Sequence, residues 1–132
     1  MLDVYNHVMS KQSTQLVDNL QAEYGEVLRA VATYERDGYE LHYTSPDIDA
    51  NYSESNFDDI YDDVVIQDVA QPFHEELFSD MGDVRGKLRV FADGTVAHFW
   101  PSEDDEGVFL AFDSSADPSV RSLLELISEF YN

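Results

Sequence analysis

Apolar side chains in this chain recur at two spacings, and the switch between them marks out its elements. In SKQSTQLVDNLQAEYG, Leu16, Val17, Leu20 and Tyr24 fall three or four residues apart, on one stripe of a helix. Gly25 follows, where a residue without a Cβ ends a helix in the left-handed conformation. In EVLRAVATYERDGYELHYTS the period drops to two. Asp37-Gly38 suits a two-residue turn with positive φ at both centres, pairing Arg36 with Tyr39, Tyr34 with Leu41 and Ala32 with Tyr43. That register predicts a hairpin with Leu28, Ala30, Ala32, Tyr34, Leu41 and Tyr43 on one face. Val27, Arg29, Val31, Thr33, Glu40, His42 and Thr44 fall on the other.

The helical period returns in the next forty or so residues. A helix is predicted over 55–70 with Ser55 as N-cap and Phe57, Ile60, Tyr61, Val64, Val65 and Val69 as its stripe. Pro72 ends or kinks it, leaving PFHEELFSDMG as a second short segment. RGKLRVFADGTVAHFW then reads as another hairpin, with Asp93-Gly94 as its turn. Phe91 pairs with Val96, Arg89 with His98 and Lys87 with Trp100, which puts Leu88, Val90, Ala97 and Phe99 on one face. VFLAFDS is a short apolar strand. DPSVRSLLELISEFYN closes the chain as a helix, with Asp117 as N-cap, Pro118 at N1 and a stripe of Val120, Leu123, Leu124, Ile127 and Phe130. The order α-β-β-α-β-β-β-α predicts an α+β fold: a five-stranded antiparallel sheet with amphipathic helices against it, in one domain over residues 1–132.

Charge alters this picture. The chain has 28 acidic residues against seven Lys and Arg, a formal net charge of -21. A content of 13% aromatic residues separates it from disordered acidic chains, which are poor in such side chains. Lys occurs only at Lys11 and Lys87, and no Lys or Arg lies between Ser45 and Val84. Two readings account for such acidity: mimicry of nucleic acid, or adaptation to molar salt, where carboxylates keep the surface hydrated and self-repulsion is screened. Scarce Lys and acids in every element favour salt adaptation. No Cys is present, so disulfides and thiolate sites are excluded. With neither a signal-peptide layout at the start nor a long apolar run, the expectation is a cytoplasmic protein without membrane contact.

Chemical motifs are sparse. Asp47, Asp49, Asn51, Ser53, Ser55 and Asp58 have the relative spacing of EF-hand ligands, but Tyr52 stands where the loop needs Gly, and Asp58 is too short for the bidentate position. His74-Glu75 begins an HExxH pattern that Phe78 breaks, and Asp104, Asp105 and Glu106 read as a hydrated hairpin tip. There is no nucleophile elbow, P-loop or dinucleotide fingerprint. The expectation is therefore no enzyme, no metal and no cofactor.

What remains is the basic, aromatic strand. Arg85, Lys87 and Arg89 lie in five consecutive positions, and the hairpin register carries Lys87, Arg89, Phe91, His98 and Trp100 to one face. One reading is internal, with the Asp-rich helix packing across this face, Tyr61 and Val65 over Phe91 and Val96. The other makes Arg85, Lys87, Arg89, Phe91, His98 and Trp100 a partner-binding face, since Trp and Arg dominate interface energetics. Nucleic acid is not expected there, because the net field repels phosphate at modest salt and molar salt removes counterion release.

The segments VLRAVATYERDGYELHY and NFDDIYDDVVIQDV resemble a family of small, acidic, uncharacterised proteins of halophilic archaea. The order of elements resembles that of roadblock and longin-like domains. That resemblance implies a non-catalytic adaptor or regulator, homodimeric, with a small GTPase or signalling protein as possible partner. The alternative is a small-ligand sensor, with a pocket between Tyr34, Tyr43, Phe99 and a helix.

Self-repulsion among so many carboxylates gives the first prediction. Moving the protein from about 2 M to about 0.1 M KCl lengthens the Debye length several-fold, and the thermal midpoint followed by circular dichroism falls. A midpoint that holds or rises in dilute buffer contradicts salt adaptation.

Overall fold

The computed structural model describes residues 11–35, 38–66, 78, 80–100 and 106–130. Expectations for the N-terminal arm, the Arg36-Asp37 corner, the segment from Gln67 through Pro72 and His74, and the Asp104-Asp105 tip lie outside them. Helix α1 spans Lys11–Tyr24, and a 3-10 turn over Gly25–Val27 leads into β1, Leu28–Glu35. Gly25 has φ +56, the left-handed helix end its sequence position suggested. β2 is Gly38–Thr44, α2 Pro46–Asn51 and α3 Glu54–Ile60, which continues into one π-helical turn over Tyr61–Ile66. β3 (Gly86–Phe91), β4 (Gly94–Phe99) and β5 (Gly107–Asp113) precede α4, Val120–Glu129. The fold is α+β, with four α-helices among the described residues and an antiparallel sheet ordered β2-β1-β5-β4-β3. Among the described residues no helix is long and apolar enough to cross a membrane.

The sheet separates two layers of unlike composition. On one face Leu28, Val31, Ala97, Phe99, Val108, Leu110 and Phe112 meet Leu16, Val17 and Leu20 of α1 and Leu123 and Ile127 of α4, all buried. Large aliphatic and aromatic groups fill this layer, and it supplies most of the apolar burial. Tyr24 packs edge-on against Phe112, with ring centroids 4.9 Å apart. On the opposite face β1, β4 and β5 show Ala30, Ala32, Gly94, Val96 and Ala111, and α2, α3 and the π-helical turn lie over them.

Both hairpins form two residues away from the expected pairing. Gly94 pairs with Phe91, so Ala92 and Asp93 make the turn, and β3 and β4 pair as Arg89–Val96 and Lys87–His98. Among the described residues none but glycine has positive φ, and Gly94 is not one of those glycines, so no type I′ turn forms on Asp93-Gly94. Gly94 is needed for a different reason: a Cβ there would lie 2.8 Å from the Phe112 carbonyl oxygen of β5. β1 and β2 likewise close on Glu35–Gly38, with Tyr34 opposite Tyr39. A two-residue slip preserves which face each side chain takes, so the side assignments of β3 and β4 survive it.

Those of β1 and β2 do not all survive, because the pairing is irregular at two places, with Arg29 the extra residue in β1 and His42 the extra residue in β2. The register of β1 against β5 shifts between Leu28 and Ala30, and its register against β2 shifts between Val31 and Ala32. An extra residue reverses the alternation beyond it. Leu28 and Tyr43 therefore join Val31 in the large-residue layer, while Ala30, Ala32, Tyr34 and Leu41 stay on the other face. The expected single row of six splits between layers.

Helix starts differ too. α3 begins at the capping box of Ser53 and Asn56, in which each side chain bonds the other's backbone N–H, and not at Ser55. Ser45 caps α2 through the Ile48 N–H, with Pro46 at the first helical position. Ser119, not Asp117, is the N-cap of α4, and its hydroxyl donates to Ser122.

The large-residue layer sets stability. Leu20→Ala, at a fully buried position where α1 meets the sheet, is expected to cost about 2–5 kcal/mol in chemical denaturation at fixed high salt. A loss below about 1 kcal/mol would mean that α1 does not dock as described.

Candidate functional site

Alternation along β3 and β4 brings Lys87, Arg89 and Phe91 to the same side as Val96 and His98. Trp100 continues the row: its backbone N–H donates to the Arg85 carbonyl at 3.0 Å, and its ring centroid lies 4.6 Å from that of His98. Lys87 thus faces His98 and Arg85 faces Trp100, in place of the expected Lys87–Trp100 pair.

These six residues differ in access. Phe91 is 56% exposed and Lys87 is exposed, Arg85 and Arg89 are half-buried, and His98 and Trp100 are 1% and 9% exposed. The two arginines each have a carboxylate. Arg85 Nη2 lies 2.9 Å from Asp83 Oδ2, and Arg89 Nη1 lies 3.8 Å from Asp63 Oδ2 in the π-helical turn. The acidic segment therefore reaches this face, as the internal reading expects, while the expected Val65 contact lies outside the described side chains. Lys87, Arg89 and Phe91 offer surface to a partner; His98 and Trp100 offer almost none.

His98 is instead part of a buried polar contact. Its Nε2 and the Tyr34 hydroxyl are 2.5 Å apart, and Tyr34 is itself only 4% exposed. Tyr34 reaches across β5 because Gly107, its cross-strand neighbour, has no side chain. A Cβ on Gly107 would meet the Tyr34 hydroxyl and the Phe99 carbonyl. Tyr34 also packs edge-on to Tyr61 at 6.2 Å between centroids, and Tyr61 stacks on Tyr39 at 5.1 Å. Tyr39 and Tyr61 donate to Asp58 and to the Glu35 carbonyl respectively, which ties α3 and the π-helical turn to the first hairpin. Nothing local in the sequence marks the Tyr34–His98 pair, whose members are 64 positions apart. The usable signal was a glycine opposite a tyrosine.

Between this aromatic line and the rest of the sheet lies a cavity of about 610 Å³. Its floor is Ala30, Ala32, Ala111, Gly94 and Val96; Phe57, Ile60 and Tyr61 form its roof. Arg29, Arg89, Asp59, Asp63 and Asp93 are its charged lining residues. The expected pocket between Tyr34, Tyr43 and Phe99 does not form, because Tyr43 and Phe99 belong to the opposite layer.

The EF-hand spacing is broken up by the fold. Asp47 and Asp49 lie in the first turn of α2, Ser53 caps α3, and Asp58 accepts the Tyr39 hydroxyl. At the β2 irregularity, His42 Nε2 lies 2.6 Å from Thr33 Oγ1. Burial lowers the His42 pKa and Glu40 partly opposes this. A depressed histidine pKa favours the fold above the ordinary histidine value, and that contribution is lost as pH falls below it.

The model of the domain of unknown function DUF7522 matches residues 14–132, from the first turn of α1 to the chain end. The chain belongs to this family. Comparison with curated proteins and with solved structures finds no match. For this DUF7522 protein the buried pair gives the third prediction. Tyr34→Phe removes the hydroxyl from a buried imidazole nitrogen and is expected to cost about 1–3 kcal/mol in chemical denaturation. Gly107→Ala, which displaces the ring against backbone, is expected to cost at least as much. A neutral result for both would mean that Tyr34 and His98 do not meet in solution.

Proposed function

We propose that this protein is a non-catalytic protein–protein interaction module, a cytoplasmic adaptor or regulator of a salt-adapted archaeon, working as a homodimer. The observation that carries this reading is the outer edge of the sheet. β3 is one of the two edge strands, and its Val90 and Phe91 are 78% and 56% exposed. An edge with apolar side chains on both faces is a template for pairing with another strand. The same strand holds Lys87 and Arg89, so it is where a chain of net charge -21 repels a copy of itself least. The resemblance in order of elements to roadblock and longin-like domains supports the same reading. That likeness extends the proposal to a small GTPase or signalling protein as further partner.

A second reading, a small-ligand sensor, draws on a separate observation: the apolar cavity over the alanine-rich floor.

Light scattering coupled to size exclusion in molar KCl tests the dimer. Wild type is expected to run at twice the chain mass, and Val90→Glu combined with Phe91→Glu at the chain mass with unchanged circular dichroism. A wild-type monomer at high micromolar concentration overturns the reading.

A further inference from the structure

We infer that the cavity is a binding site for a hydrophobic monocarboxylate whose acid group is held by Arg29; this rests on the sensor reading and gives it a ligand class. The volume, about 610 Å³, is that of a small-molecule site, and such sites combine apolar walls with a few placed polar groups. The space exists because Ala30, Ala32, Ala111 and Gly94 keep the floor low, whereas the other face of the same strands carries Val31, Leu110 and Phe112. Apolar and aromatic side chains make up most of the wall, which suits a body of hydrocarbon or aromatic ring.

Arg29 supplies the polar group. It sits at the irregularity of β1, half-buried, and its Nη1 lies 3.5 Å from where a Cβ on Gly94 would stand. The guanidinium therefore reaches past Ala111 of β5 to the start of β4, on the cavity side. Arg85 has Asp83 and Arg89 has Asp63. The Arg29 carbonyl accepts the Ser45 N–H, but its guanidinium has no ion pair or hydrogen bond among the described residues, in a chain with 28 acidic residues. A partly buried guanidinium left without an anion matches a carboxylate in shape as well as charge, since it offers parallel N–H donors. Asp59 and Asp93 also line the cavity, and they limit the ligand to one negative charge. Polyphosphates and nucleotides are excluded on that ground.

The experiment is calorimetric titration of the full chain in about 2 M KCl, where surface attraction is screened and a partly enclosed pair much less so. Two acids, octanoate and 1-naphthoate, are compared with their amides, octanamide and 1-naphthamide. At least one acid is expected to bind saturably and at least tenfold more tightly than its amide. Arg29→Gln is expected to abolish the preference. Ala111→Phe, which fills the floor, is expected to abolish binding of both, and circular dichroism reports whether each variant folds. Equal binding of acid and amide to wild type overturns the role of Arg29 and leaves the cavity a ligand site. A preference that survives Arg29→Gln does the same. Absence of binding by all four compounds overturns the monocarboxylate site altogether, and the wild-type comparison decides this even where a variant fails to fold.

Discussion

The arrangement of this protein depends on one constraint: a charged residue in β1 cannot enter the layer filled by α1 and α4. In a regular strand Arg29 would share a face with Val31, which is completely buried among Leu16, Leu20 and Ile127. A guanidinium there would lose its hydration with no carboxylate to replace it. The extra residue between Leu28 and Ala30 resolves the conflict, turning Leu28 into the large-residue layer and Arg29 toward the cavity. The second irregularity acts likewise on β2, sending Tyr43 inward and leaving Leu41 over the floor. The sheet thus acquires one face of large side chains and one of alanines with an arginine at its border.

That asymmetry explains why the chain could be read only in part from its residue pattern. Element order, the α1 ending at Gly25 and the sides taken by Leu88, Arg89, Ala97 and His98 follow from periodicity and survive a two-residue slip. The turn chemistry misled, because Asp-Gly marks a tight corner only where the glycine is wanted for positive φ. Gly94 is wanted for its closeness to the Phe112 carbonyl, a demand made by a neighbouring strand. The irregularities of β1 and β2 have no local signature either. They reflect which layer can hold Arg29 and Tyr43, and layers exist only once the helices have docked. The site was legible as a row of cations and aromatics, but the burial of His98 depends on Tyr34 and on Gly107, far away in the chain.

The basic strand now has a physical account that does not need a nucleic acid. Its arginines meet acids of the same chain, Asp83 close by in sequence and Asp63 from the π-helical turn. A π-helical turn carries an extra residue, and turns of this kind often occur where a helix must re-aim its side chains. Here it follows α3 directly and presents Tyr61 to Tyr34 and Tyr39 and Asp63 to Arg89.

Contacts that hold the roof over the floor differ in how they would respond to molar salt. The Arg89–Asp63 contact is long and its carboxylate is mostly exposed, so molar salt leaves it little strength. The stacking of Tyr39 on Tyr61, the edge contact of Tyr61 with Tyr34 and the burial of Ile48 of α2 do not weaken in the same way. Salts that strengthen apolar burial favour such contacts. An acidic chain in concentrated salt therefore has reason to attach its second layer through tyrosines and to keep its ion pairs at the border. The cavity is enclosed by the contacts that persist under those conditions.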